Sequence, residues 1–427
     1  MSEDESFLQE IIAAPDDDGP RLVYADWLEE RGDPRAEFIR VQCEEARLGD
    51  GKRRTDLRRK AKQLLQAHGK GWTAELGATG PEFRDPRYHR GFIESAKMSI
   101  RFFLKSGSDV MARTPLRQLV LTSGDKLLPK LARAEHLLQV EDLQLAERTF
   151  PERHAIEFVQ SPHLEKLRSL RLHGFNYSEA FAASLVQAPF TKLAALDLER
   201  TFSSVDDGSV ATLLRAPWLK SLESLRLCGL SDNTVRQIVA CPNLVRLKAW
   251  DMWLSGRPFS AETARAFADS AMSRRMEQLR MMNCGMTVAG LREMAGGNWP
   301  VLTHLELNDN PFGVDGIEAL ATGRWPALRI LNLAACRIGS RGLGTLLQQP
   351  WLKSLDRLTL RYNQLTKHDM LDLIAFQNGS RKTHIDVDGN DLNRADAEEL
   401  LANLGKIGGS LAAEFRIVAQ WGRLAGQ

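Results

Sequence analysis

Three consecutive aspartates, Asp16, Asp17 and Asp18, are the first residues in the chain whose type and spacing could do chemistry. Clustered carboxylates suit a divalent cation or general acid and base catalysis. A calcium loop spaces its oxygen ligands as DxDxDG, and this run lacks that spacing. Pro20 follows and suits a first helical turn, where the helix dipole favours nearby carboxylates. The run therefore predicts a helix cap, not a catalytic or metal site.

The remaining residues that could be reactive also lack the spacing of known catalytic or metal-binding motifs. The chain contains no GxSxG, GxxxxGK[ST] or HExxH motif, and no GxGxxG after a strand. Its five cysteines are dispersed without a CxxC pair, which disfavours a disulfide framework and a zinc ribbon. His304 and His384 fall at equivalent strand positions three repeats apart, about 14 Å, too far to share a metal. We predict a protein that is not an enzyme and uses no cofactor or metal.

Composition narrows the classes of partner. The chain of 427 residues has 57 Lys and Arg against 55 Asp and Glu, a formal net charge of +2. This near neutrality gives no reason to expect a nucleic-acid or membrane partner. The N-terminal sequence MSEDESFLQEII lacks the layout of a secretory signal, and no apolar stretch approaches the roughly 18 residues of a membrane span. These features predict a cytoplasmic monomer.

The elements that must position any site come from an internal repeat. From about residue 116 the pattern LxxLxLxxN recurs, most clearly at residues 302–310, 328–336 and 355–363. Apolar residues two apart predict short buried strands, and stretches such as GVDGIEALATG between them predict helices. We count eleven repeats, with the second apolar position at Leu119, Leu143, Leu170, Leu196, Leu225, Leu247, Leu279, Leu305, Leu331, Leu358 and Ile385.

This period predicts an α/β fold, a leucine-rich repeat solenoid. We expect a horseshoe with parallel strands on the concave face and helices on the convex face. The predicted domains are a mainly helical N-terminal cap (1–115), the repeats (116–393) and a C-terminal helical cap (394–427). A small polar residue that ends the frame should turn inward and satisfy backbone groups, as at Cys284, Asn310, Cys336, Asn363 and Asn390. Four tryptophans beside prolines are predicted to pack structurally: Trp218, Trp299, Trp325 and Trp351.

The N-terminal region predicts two capped helices, with Gly32 ending the first and Asp33-Pro34 opening the second. The segment FLQEIIAAPDDDGPRLVYADWLEERGDPRAEFIRVQ (7–42) closely resembles the repeat-companion domain found ahead of leucine-rich repeats in certain bacterial proteins. LLQAHGKGW and HRGFIESAKMSI look like the rest of that unit, so the resemblance covers roughly residues 5–125. It implies a strand at GFIESAKMSI and a helix at FFLKSGSDVMA, and it supplies no catalytic residues. The repeats that follow are similar in style to the ribonuclease-inhibitor class.

A solenoid of this kind works by binding, and outward strand residues are the candidates. Arginine beside tryptophan is typical of an interaction hot spot, and the longest gap between repeats, 32 residues, adds a loop at Trp253. The alternative is that Arg171, Asp197 and Arg226 form a lateral ion-pair ladder, and that Trp250 only covers the sheet. The predicted partner-binding residues are Arg171, Arg226, Arg246, Lys248, Trp250, Trp253, Arg280 and Met282.

The sequence thus predicts a non-catalytic scaffold or regulatory adaptor for an acidic or mixed-charge protein partner. Nucleic-acid binding through the basic cluster RRTDLRRKAK (53–62) is the alternative from another class. That cluster is also a good amphipathic helix without aromatic stacking residues, so we do not expect nucleic acid. A third possibility is a GTPase activator, which would need an exposed arginine placed on a partner's nucleotide.

Overall fold

The computed structural model describes residues 2–77, 80–146, 150–175, 177–198, 206–254, 258–378, 383–392 and 396. The chain divides into two compact units, Met1–Asn176 with Gln187–Leu193, and Tyr177–Val186 with Ala194–Gln427. The predicted C-terminal cap (394–427) lies outside the described residues apart from Asp396. The predicted boundary at residue 115 stays a prediction.

The first unit begins with four helices, continues through a hairpin, and ends in the first repeats. Its strands pair in sequence order: β1 and β2 are antiparallel, and each later strand to β5 is parallel to the one before it. Its elements are α1 (Glu3–Ala13), α2 (Asp18–Glu29), α3 (Arg35–Arg47), α4 (Lys52–Glu75), β1 (Phe83–His89), β2 (Phe92–Ser99), α5 (Ile100–Met111), β3 (Gln118–Thr122), α6 (Leu128–Leu131), β4 (Asp142–Ala146), α7 (Glu152–Val159) and β5 (Ser169–His173).

Helix α2 begins with the capping that the aspartate run predicted. The Asp17 carboxylate accepts a hydrogen bond from the Gly19 backbone N–H at 2.8 Å, which satisfies a donor at the helix start. Gly32, with a φ of +68°, ends this segment in the left-handed conformation that glycine tolerates. Asp33 then caps the Arg35 backbone N–H at 2.8 Å, so α3 begins one residue after Pro34 rather than at it.

The other two aspartates of the run do not cap a helix. Asp16 contacts Arg117 at 3.0 Å, and Asp18 contacts Arg47 at 2.7 Å. Asp17 is therefore the capping residue of the run, and Asp18 lies in the first turn of α2, where the helix dipole favours its negative charge, as predicted. Arg117 lies 101 residues along the chain from Asp16, so no local pattern could have indicated its contact.

The N-terminal helices close over a core of their own. Leu8, Ile11 and Leu28 pack with Ile39 and Phe92, which lies on the hairpin strand β2. Each such side chain contributes about 1.5–3 kcal/mol when it is fully buried. The strand and the helix implied by the resemblance are present as β2 and α5. The partner strand β1 was not predicted from the sequence.

The second unit repeats one strand and one helix throughout. Its strands are parallel to their neighbours and pair in sequence order from β6 to β13. Its elements are α8 (Glu179–Val186), β6 (Ala195–Leu198), α9 (Asp207–Leu213), β7 (Ser224–Leu230), α10 (Asp232–Ala240), β8 (Ala249–Leu254), α11 (Ala261–Asp269), β9 (Gln278–Met281), α12 (Val288–Ala295), β10 (His304–Glu306), α13 (Gly313–Ala321), β11 (Ile330–Asn332), α14 (Gly339–Leu347), β12 (Arg357–Thr359), α15 (Lys367–Asn378) and β13 (His384–Asp386).

The polar residues that end the frame turn inward, as predicted. The Asn310 side-chain oxygen accepts the backbone N–H groups of Cys284 and Met286, both at 3.0 Å. Asn363 accepts from Cys336 at 2.9 Å, and Asn390 accepts from Asn363 at 2.7 Å. Each asparagine therefore satisfies backbone groups of the preceding repeat, which lie where water cannot reach them.

The cysteines at equivalent positions serve the same turns. Cys336 is fully buried, and burial raises the pKa of its thiol to about 12. The thiol stays protonated and donates to the Leu307 carbonyl oxygen at 3.3 Å. Such a buried, protonated thiol is a poor nucleophile.

Three tryptophans beside prolines pack as predicted. Trp218, Trp299 and Trp325 are at most 4% exposed. Each indole N–H donates to a helix carbonyl, those of Leu185 at 2.8 Å, Met294 at 2.8 Å and Leu320 at 3.2 Å. The alternation of parallel strands and helices around inward leucines forms an α/β leucine-rich repeat solenoid. Among the helices in the part of the chain that the structure describes, none has both the length and the apolar character needed to cross a bilayer.

Candidate functional site

The outward side chains of β6 to β10 form two rows on the second unit. Strand residues alternate in direction, so the leucines between them enter the core while these side chains face solvent. The charged row contains Asp197, Arg226, Asp251, Arg280 and Glu306, one from each strand. The apolar row, two residues further along, contains Cys228, Trp253 and Met282.

The charged row is paired within itself. Arg226 lies between two carboxylates, with Asp197 at 3.3 Å and Asp251 at 2.7 Å. Arg280 contacts Glu306 at 2.8 Å. The two arginines are about a third exposed, so water and salt can screen these pairs, and pairs at the surface contribute about 0–1 kcal/mol each. The row holds three acids and two bases, so positive charge does not dominate it.

The apolar row contains Trp253, the most exposed of the tryptophans that the structure describes. Trp253 is 46% exposed. Trp253 is paired in register with Cys228 of β7. On the other side, Met252 is paired with Met281 of β9, so Met282 is the residue that follows at the level of Trp253. An indole ring that remains in water between a thiol and a thioether offers apolar area with one N–H donor.

The structure corrects the predicted position of Trp250. It is 1% exposed and lies 5.4 Å, ring centre to ring centre, from Phe267 of α11. The structure pairs Trp250 with Leu225 and with Leu279, so it occupies the inward position that the sequence assigned to Leu247. The prediction that Trp250 faces a partner was wrong, because the ring fills the core of its repeat.

The error has a simple origin in the sequence. Leu244 and Leu247 are three residues apart and imitate the first two leucines of the frame, although both are buried before the strand begins. The frame on Leu247 gave gaps of 22 and 32 residues, whereas Trp250 gives 25 and 29. The more even gaps were a signal available from the sequence. The same shift replaces Lys248 by Asp251 in the charged row.

Three other predicted residues lie outside the two rows. Arg246 and Lys248 precede β8, and they contact Glu223 at 2.9 Å and Glu277 at 3.8 Å. Arg171 lies on β5 in the first unit and contacts Asp142 at 3.3 Å. The structure therefore brings together Arg226, Trp253, Arg280 and Met282, and it adds Asp251, which the sequence analysis did not assign. Partner binding by these residues stays a prediction.

A second set of charges, in the first unit, was missed entirely from the sequence. Arg21 is fully buried and contacts Glu94, which is 4% exposed, at 2.8 Å. Arg21 also donates to the backbone oxygens of Pro15 at 2.7 Å and Arg90 at 3.1 Å. Arg117 contacts the second oxygen of Glu94 at 2.8 Å.

Opposing effects set the protonation of this cluster. Burial alone would raise the pKa of Glu94, but hydrogen bonds from His89 and Arg117 and the charge of Arg21 outweigh it. The pKa of Glu94 therefore lies below its ordinary value, and the carboxylate is ionised at neutral pH. A hydrogen bond from Arg117 likewise lowers the pKa of Asp16. This buried cluster joins α2 to β2 and is structural in its contacts.

No group of three or more His, Cys, Asp or Glu in the described residues is placed to hold a metal ion. The described histidines that the sequence set apart, His304 and His384, lie at equivalent positions on β10 and β13, as predicted.

One comparison with known protein families agrees with the repeat architecture. A model of the leucine-rich repeat family matches residues 300–321, which include β10 and α13. No curated protein matches the chain in sequence. A solved structure, the complex of Rad7 and Elc1 in yeast, is similar at 15% identity and a TM-score of 0.48, covering 88% of this chain and 87% of that one. The repeats and this match support a leucine-rich repeat architecture.

Proposed function

We propose that this protein is a non-catalytic interaction scaffold or regulatory adaptor that binds a protein partner on the outward strand face of its second unit. The observation that carries the proposal is Trp253, an exposed indole between Cys228 and Met282. Exposed aromatic residues bordered by polar groups are the usual centre of an interface, where they exclude water on binding.

The charged row beside Trp253 refines the class of partner. Because Arg226 and Arg280 already contact Asp251 and Glu306, the row presents alternating charge instead of a positive surface. A partner with mixed charge fits this row better than a purely acidic one, since each of its charges finds an opposite neighbour. A cytoplasmic monomer of bacterial type remains the expectation from the sequence.

The nucleic-acid alternative is weakened by the pairing of the basic cluster on α4. Arg53 contacts Glu44 at 2.8 Å and Arg58 contacts Glu45 at 2.8 Å. Lys60 forms an ion pair with Glu37. Phosphate binding would have to displace these carboxylates, which lowers the gain from releasing counterions.

Alanine substitution tests the proposal. We expect Trp253→Ala to reduce recovery of the partner in affinity purification at least tenfold, because it removes the central apolar contact. Val301→Ala is the matched control, since Val301 is 40% exposed in the same unit but lies outside both rows. Both variants should keep the melting temperature within about 2 °C, because surface substitutions change stability little. Equal recovery of the same partners by wild type and Trp253→Ala would contradict the proposal.

A further inference from the structure

A second candidate site is a cleft in the first unit, with a volume of about 1050 Å³. Its apolar wall is formed by Leu8, Leu28 and Leu76 together with the rings of Tyr24 and Trp27. Charged and polar side chains line the rest of the cleft, and clefts of this size in which polar groups converge beside apolar side chains are candidate ligand sites. None of these residues belongs to the strand face proposed above.

Arg35 is the unusual residue of the cleft. It is 7% exposed, and its Nε atom is buried without a hydrogen-bond partner. Within the described part of the chain, its guanidinium forms neither an ion pair nor a hydrogen bond, and it lies over the Phe92 ring at 4.9 Å from the ring centre. A buried, unpaired cation is costly, and Arg35 is also the first residue of α3, where the helix dipole disfavours positive charge.

Arg21 is a second buried arginine of this unit, and its contacts are structural, so it provides a comparison for Arg35. Its guanidinium lies over the same Phe92 ring at 5.2 Å. Unlike Arg35, it has the Glu94 carboxylate at 2.8 Å and backbone oxygens around it. The Nε atom of each arginine is buried without a hydrogen-bond partner, so the two differ in that the guanidinium of Arg21 has a carboxylate partner and that of Arg35 has none.

Carboxylates of the cleft are occupied by other donors. Asp4 accepts from the Tyr24 hydroxyl at 2.6 Å, and Asp33 accepts from the backbone N–H of Arg35 at 2.8 Å. Glu5 accepts from the backbone N–H of Ser2 at 2.7 Å. These carboxylates bind helix ends and a phenol, which leaves the guanidinium of Arg35 unpaired.

The outer part of the cleft is mixed in charge. Glu75 and Asp109 are exposed there, and so are Arg31 and Arg113. A ligand with a double negative charge, such as a phosphate group, would meet several carboxylates. A single carboxylate meets less repulsion and matches the planar fork of a guanidinium.

We propose that this cleft binds a short peptide segment of a partner, in which Arg35 pairs with an Asp or Glu carboxylate. An apolar side chain beside that acid packs on Leu8, Leu28 and the Tyr24 and Trp27 rings. The volume exceeds what a lone small carboxylate would fill, and the apolar wall gives the neighbouring side chain a place to be buried. The site is independent of the strand face, so either can fail without the other.

Selection of peptides on the full chain tests the proposal without knowledge of the natural partner. The probe is a phage-displayed library of random hexapeptides, panned on the immobilised protein. We expect enrichment of sequences with an Asp or Glu next to a large apolar residue. No enrichment over a blocked surface, or enrichment of sequences without an acid, would overturn the proposal.

Calorimetry with one enriched peptide then assigns the contact to Arg35. The acid-to-amide version of the peptide, and Arg35→Met with the original peptide, should each weaken binding about 30-fold, the effect of removing one partner of a buried charge pair. Arg101→Met is the matched control, because Arg101 is exposed on α5 outside the cleft, and it should bind as the wild type does. Equal binding by Arg35→Met and wild type would overturn the proposal.

The melting temperature of Arg35→Met distinguishes a loss of binding from a loss of folding. Because Arg35 has no partner to leave behind, Arg35→Met should keep or raise the melting temperature. A marked fall in the melting temperature would show that Arg35 has a structural role and would contradict the premise. Arg35→Lys keeps the charge without the planar fork, and it should bind more weakly than the wild type and more tightly than Arg35→Met.

Discussion

Arginine and carboxylate side chains meet in both units, but in different surroundings. In the first unit, Arg21 and Glu94 are out of water, and each has more than one partner. On the strand face of the second unit, Arg226 and Arg280 contact acids while their side chains are 33% and 32% exposed. Similar distances therefore correspond to different energies, because desolvation makes a buried partner indispensable while solvent replaces an exposed one. The buried cluster suits structure, and the exposed row suits exchange with a partner.

The largest expected effect on stability comes from the buried cluster of Arg21 and Glu94. Glu94→Gln keeps the shape of the side chain but leaves Arg21 as a buried charge without a counter-charge. We expect the free energy of unfolding in urea at pH 7 to fall by about 3 kcal/mol. A change below about 1 kcal/mol would mean that the cluster is solvated like a surface pair.

The second effect is the pH dependence of that same substitution. The pKa of Glu94 is lowered in the folded protein, so its contribution is fully present above its ordinary value of 4.5. The contribution is lost as the pH falls through the lowered pKa, because the native carboxylate then takes up a proton. The difference in unfolding free energy between wild type and Glu94→Gln should therefore be largest near neutral pH and shrink below pH 4.5. A difference that stays constant from neutral to acidic pH would contradict this assignment.

The smallest effect is expected on the strand face. Glu306→Gln removes the partner of Arg280, whose guanidinium can turn to water instead. The free energy of unfolding should fall by less than about 1 kcal/mol, and the loss should diminish further in 1 M salt. A loss as large as that of Glu94→Gln, unaffected by salt, would abolish the distinction between the two regions.

Periodicity made most of the fold predictable. The alternation of leucines set the strands, and Asn310 and Asn363 were predicted inward because backbone groups at the ends of buried strands need partners. The failure at Trp250 came from reading a local pattern in one of two possible frames. The spacing to the neighbouring repeats favoured the frame on Trp250, since each strand must align with the next.

The charges of the site were less predictable for a different reason. The contact between Arg280 and Glu306 joins equivalent positions of neighbouring repeats, so the frame could place it once strands were aligned. Arg21 and Glu94 are 73 residues apart outside the repeats, and no period connects them. The unpaired state of Arg35 depends on where every nearby carboxylate points, which only the three-dimensional structure provides.

The asparagine contacts give the second unit a direction. Asn310, Asn363 and Asn390 each complete a turn of the repeat before their own. A shortened chain that ended just before Asn363 would leave the Cys336 and Ile338 backbone N–H groups without their acceptor, although every residue of that repeat was still present. The repeats that precede these asparagines thus depend on their successors for a finished boundary, so insertions or deletions there should add or remove a whole period.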